Sequence, residues 1–119
     1  MGSSWLLPRI LGPSKAAELL YTGRFIHAEQ ALAIGLVSQV VPEGTQVEAA
    51  RDLAREMMQN TPLGIRMTKE LLNVSLDAPG LRHQLEIENR TQILCTLTDD
   101  FKETVAAFFE KRTPSYKDR

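Results

Sequence analysis

The chain is 119 residues long, with 43% apolar and 24% charged residues and a formal net charge of -1. That composition suits one soluble globular domain, and the balanced charge leaves no electrostatic footprint for nucleic acid or an anionic membrane. The single cysteine, Cys95, excludes an internal disulfide, and no apolar run nears the ~18 residues that span a bilayer, so no membrane partner is expected and a cytoplasmic setting is.

In chain order, the opening MGSSWLL lacks the basic, apolar and small-residue succession of a signal peptide. PRILGPSKAAELLYTGR then spaces Ala16, Leu19 and Leu20 for one helix face, with Pro13 where a first turn accepts it and Gly23 as the stop. His27 stands at a cap position before AEQALAIG, Gly35 ends that helix, and LVSQVV turns β-branched up to Pro42, which predicts a short extended stretch. Beyond Gly44, Val47, Ala50, Leu53, Ala54 and Met57 repeat at three and four residues, the spacing of a helix running to about Asn60.

Thr61 caps the next helix with Pro62 at its first position, and that helix continues through Ile65, Leu71 and Leu72 to a break near Pro79. A further helix runs through Leu81, Leu85, Glu88 and Gln92. Thr98 then caps a last one, with two aspartates in its first turn and Phe101, Val105, Phe108 and Phe109 along it. The closing TPSYKDR reads as a tail. These elements predict an all-α fold of five to six helices with short loops and one extended segment too solitary to form a sheet, in a single domain over residues 1–119.

Few residues offer chemistry. His27 and His83 have no cysteine or carboxylate at ligand spacing, so no metal site is expected. Glu86 and Glu88, two apart on a helix, lie about 200° apart around its axis and cannot share a proton. Asp99 and Asp100 are accounted for by the helix dipole, and Cys95 has no basic neighbour in sequence to activate it. No glycine-rich phosphate loop occurs. What remains is AFFEKRTPSY, where Phe108, Phe109, Lys111 and Arg112 combine rings with cationic ends at a helix terminus. Such a cluster can stack a base and hold a phosphate, or it can be core aromatics beside basic residues favoured by the dipole.

Taken together, three stretches resemble the enoyl-CoA hydratase/isomerase (crotonase) family: LPRILGPSKAAELLYTGRFIHAEQALAIGLVSQVVP, NTPLGIRMTKELLN and LEIENRTQILCTLTDDFKETVAAFFEKRTPSY. Their order and spacing carry the resemblance across the whole chain. It implies the C-terminal helical and trimerisation region of such a protein. The N-terminal spiral of ββα turns, which holds the oxyanion-hole N–H groups and the proton-transferring carboxylates, would be absent, so no catalytic residue is expected here. In the parent the implied reaction is addition of water to a 2-enoyl-CoA, or a double-bond shift, through a thioester enolate stabilised by paired N–H donors. The acyl-CoA thioester is substrate, and no resident cofactor is implied.

The resemblance also places Phe108 and Lys111 on positions that approach the adenine and the 3′-phosphate of coenzyme A. SSWLLPR is similar to the form found in isomerases of the phenylacetate-degradation type. In that subtype an aspartate base would stand just ahead of the equivalent of Met1. Ser3, Ser4 and the Glu103-Thr104 pair depart from the family pattern and leave hydratase and isomerase both open. Apolar faces without the spiral domain imply a homo-oligomer. The alternative is a stand-alone helical oligomerisation or interaction module without catalysis.

Overall fold

A helix with proline inside it begins the structure, a computed structural model that describes residues 1–118. In α1 (Ser3–Leu11), Pro8 has no N–H to offer the carbonyl of Ser4. Arg9 supports the same turn from outside: its Nη1 donates to the Trp5 carbonyl at 3.1 Å, and its guanidinium lies 3.3 Å from the centroid of the Trp5 ring. Only Gly12 separates α1 from α2 (Pro13–Thr22), at φ 77 and ψ 159, a conformation that a side chain would strain. Pro13 occupies the first turn of α2, and Gly23 closes it in the left-handed region with its N–H on the Leu19 carbonyl at 3.0 Å.

Two compact units follow from the pattern of contacts, Met1–Val47 and Glu48–Arg119. In the first, α1 packs on α2, whose Ala16 is buried. α3 (Ala28–Ala33) follows His27, which holds the cap position by its backbone alone: its carbonyl accepts from Ala31 N–H at 2.9 Å, and its imidazole makes no cap bond. The expected extended stretch after Gly35 forms no strand. Instead the Leu36 N–H turns back to the Ala31 carbonyl at 2.9 Å and the chain runs on irregularly.

Nearly all of α4 (Gln46–Met57) lies in the second unit, with α5 (Pro62–Ser75), α6 (Leu81–Thr96) and α7 (Asp99–Glu110). The apolar face expected of α4 is present but uncovered, with Val47, Leu53 and Met57 all exposed. The Thr61 hydroxyl accepts the Gly64 N–H at 3.1 Å and starts α5. A Cβ on Gly64 would fall 2.5 Å from that oxygen, so glycine gives the cap its room. α5 packs on α6, and α6 on α7. Thr98 caps α7 as expected, accepting from Phe101 N–H at 3.1 Å. The all-α class therefore stands, with seven helices among the described residues in place of five to six. The additional helix is α1, which lies ahead of Pro13, where the sequence pattern assigned none.

The buried side of α7 differs from the sequence pattern. Asp100 and Ala107 are buried at 3% and 2% exposure, with Glu103 and Thr104 half-buried beside them. Phe101, Val105, Phe108 and Phe109 point elsewhere and are exposed. The packed face is thus small and polar, turned roughly a third of a turn from the aromatic one.

The reason is the expected tail, which is no tail. Asp100 accepts the Lys117 N–H at 2.7 Å through Oδ1 and the Asp118 N–H at 2.9 Å through Oδ2. Ser115 N–H donates to Glu103 Oε1 at 2.8 Å. Tyr116 OH donates to the Gln59 carbonyl at 3.1 Å, and Asp118 meets both Nη atoms of Arg66 at 3.0 and 2.8 Å. Residues 112–118 therefore lie along α7 and reach the start of α5.

Candidate functional site

The candidate residues sit where α7 ends. Lys111 adopts the left-handed conformation at φ 54 and hands its N–H to the Phe108 carbonyl at 3.3 Å, while the Arg112 N–H reaches the Ala107 carbonyl at 3.1 Å. This cap brings Phe108 and Lys111 onto one helix end. Phe108 is 78% exposed and meets the Phe109 ring edge-to-face, with centroids 5.7 Å apart. The reading of these rings as core is excluded within this chain.

The two cations of the pair have different fates. Arg112 is spent inside the fold: Nη1 and Nη2 hold Glu103 at 2.5 and 2.9 Å, and Nε holds Glu110 at 2.5 Å. Lys111 makes no ion pair among the described residues. A flat exposed ring and, three residues on at the same helix end, an ammonium with no ion pair among the described residues are the chemistry that takes a heteroaromatic base and an anionic oxygen.

The Arg112 guanidinium, followed by the Ser115 N–H, holds the Glu103 carboxyl down to about 2, while Arg112 itself is raised by Glu103 and Glu110. Lys117 adds a smaller attraction in the same direction. A carboxyl depressed in the folded state stabilises the fold above its ordinary value and loses that contribution as pH falls through the folded one. The Glu103 contribution should accordingly fade between about pH 4.5 and pH 2. A carboxyl titration followed by NMR checks this. Arg112→Gln should return the Glu103 midpoint toward the ordinary range, and an unchanged midpoint would contradict the assigned cause.

Elsewhere the groups considered from sequence stay apart. Glu86 pairs with Arg82 Nε at 3.3 Å and Glu88 accepts from Gln84 Nε2 at 3.3 Å, each using the residue four before it. His83 lines a shallow hollow with Pro79, Arg82 and Glu86, and Cys95 is a half-buried free thiol. A groove of about 770 Å³ in the second unit is lined by Met57, Ile65, Leu72, Phe101, Thr104 and Tyr116 among others. Sequence reasoning gave Asp100 to the helix dipole, met Glu103 only as a departure from the family pattern, and passed over Tyr116. The available signal was an Asp and a Glu three apart on α7, followed by a Pro-containing segment short enough to double back.

Comparison with known proteins places the whole chain among similar sequences and structures. The family model described as enoyl-CoA hydratase/isomerase matches residues 1–119. The crystal structure of an enoyl-CoA hydratase from Bacillus anthracis superposes with a TM-score of 0.95 at 37% identity, covering 99% of this chain and 45% of that one. Among curated relatives, the 1,2-epoxyphenylacetyl-CoA isomerase of Escherichia coli is 36% identical over 115 residues, which is 97% of this chain and 44% of that protein. The 2,3-dehydroadipyl-CoA hydratase of the same organism is also 36% identical, over 99% of this chain and 46% of that protein. The chain thus spans less than half the length of these relatives.

Proposed function

Because the chain belongs to the enoyl-CoA hydratase/isomerase family, we propose that it acts as the C-terminal helical part of an enzyme working on acyl-CoA thioesters in the cytoplasm. In this role it supplies part of the coenzyme A site and the surface through which copies assemble. The thioester is the substrate and no resident cofactor is needed. The observation that carries the reading is the end of α7. There Phe108 is exposed and Lys111 makes no ion pair among the described residues, while the neighbouring cation, Arg112, is neutralised by two carboxylates. Phe108 stacks on the adenine, and the Lys111 ammonium sits against the 3′-phosphate.

The residues that move protons and stabilise the enolate belong, in this reading, to a preceding part of the enzyme. Two relatives at the same 36% identity, one named an isomerase and the other a hydratase, keep both reactions within the proposal. The Trp5-Leu6-Leu7-Pro8-Arg9 run leans toward the isomerase type. A second reading, an assembly module without catalysis, draws on the uncovered α4 face of Val47, Leu53 and Met57.

A fusion tests the first reading. The N-terminal part of the Bacillus anthracis enoyl-CoA hydratase, joined to this chain in place of its own matching segment, is expected to turn over a 2-enoyl-CoA. The isolated chain is expected not to. Lys111→Ala in the fusion should raise KM roughly tenfold with kcat little changed, the loss of one charge-assisted contact made equally in ground and transition states. Turnover by the isolated chain, or a KM that ignores Lys111, would overturn the assignment.

A further inference from the structure

We propose that residues 112–118 form one carboxylate-latched strap that closes and releases as a unit, with buried Asp100 as its catch and Tyr116 as the part that completes a wall of the groove. The inference rests on the geometry of the second unit and stands whether or not the coenzyme A reading does.

Three features make the segment a strap. It has a pivot: Lys111 sits at φ 54, where the chain leaves α7 and reverses. It has a stiff middle, since Pro114 fixes its own φ and restricts Thr113. It also has anchors on three elements: Asp100 and Glu103 on α7, the Gln59 carbonyl in the turn before α5, and Arg66 on α5.

The catch is a carboxylate, which accepts but cannot donate, and both of its oxygens face successive backbone N–H groups. At 3% exposure, Asp100 has little water to replace those two donors if they leave. Asp118, just past the catch, grips Arg66 through both oxygens, and Tyr116, just before it, grips Gln59. With no more than two residues between anchors, the chain has no slack to release one while keeping the next. Since Tyr116 lines the groove beside Phe101 and Thr104, opening the strap removes that wall and widens the groove.

Amide hydrogen exchange followed by NMR on the full chain reads the device. In the unaltered chain the amides of Ser115, Lys117 and Asp118 are expected to exchange slowly and at similar protection. Asp100→Asn, neutral and with one acceptor fewer, should accelerate all three by about tenfold or more, leaving the Gly64 cap amide unchanged. Arg66→Ala and Tyr116→Phe lie outside α7 and carry the test if the first variant fails to fold. Each should accelerate all three amides together by about fivefold. Exchange at unstructured rates in the unaltered chain would overturn the strap, and so would acceleration by Arg66→Ala confined to Asp118.

Discussion

Replacing Asp100 with alanine is expected to cost the second unit about 2–4 kcal/mol, while the same change at the neighbouring Asp99 should cost no more than about 1 kcal/mol. The two aspartates are adjacent in the first turn of α7 and both favour the helix dipole. Their surroundings separate them. Asp99 has its side chain 68% exposed and holds Lys102 directly at 2.8 Å, an exposed pair of the kind that contributes little. Asp100 is buried and takes two backbone N–H groups on a charged acceptor, and alanine leaves both donors unmatched. Urea unfolding of the two variants, followed by helical circular dichroism, gives the comparison. Equal losses would show that the dipole, and not the strap, is what Asp100 serves.

A second large effect is expected in solution: the isolated chain should associate with itself. It exposes 9542 Å². Two separate compact bodies of the sizes of the two units would expose about 7,700 Å² between them. The surplus of roughly 1,800 Å² therefore lies within the units, whatever their arrangement, and is about twice the roughly 800 Å² that each partner buries in a standard protein interface. Much of it is apolar: Val47, Leu53 and Met57 along α4, Leu72 on α5, and Phe108 and Phe109 on α7 are all exposed. Light scattering at high micromolar concentration is expected to show dimers or larger species, and Leu53→Glu should shift the distribution toward smaller ones. A clean monomer across the range would sink this expectation.

What could be read from the sequence was settled within a few residues of itself. The caps at Thr61 and Thr98, the prolines at the starts of α2 and α5, and the glycine stop at Gly23 all depend on neighbours no more than four positions away. α1 was hidden because its support, Arg9 on Trp5, is a side-chain arrangement that propensity does not register. The strap was hidden for the opposite reason. Two of its partners, Arg66 and Gln59, lie 52 and 57 residues off along the chain, and nothing in TPSYKDR announces them.

The site was half legible. Phe108 and Lys111 were singled out by residue type and resemblance, and the structure places them on one helix end. That Arg112 is occupied, and Lys111 without an ion pair among the described residues, could not be read, because it depends on Glu103 and on the turn that brings Arg112 back beside it. Nor could the orientation of α7. An aromatic stripe normally marks the inner face, yet here the inner face belongs to Asp100 and Ala107.

The Arg66–Asp118 and Gln59–Tyr116 contacts also set an order of events during synthesis. Residues 116–118 leave the ribosome after every group they hold, so α5 and α7 can form earlier but cannot be tied to one another through the strap until then. Until those residues arrive, the nascent second unit carries Asp100 without the Lys117 and Asp118 N–H donors and an incomplete groove beside Phe101. A nascent chain stalled short of Tyr116 should accordingly be the more readily cleaved by protease and the more readily held by a chaperone.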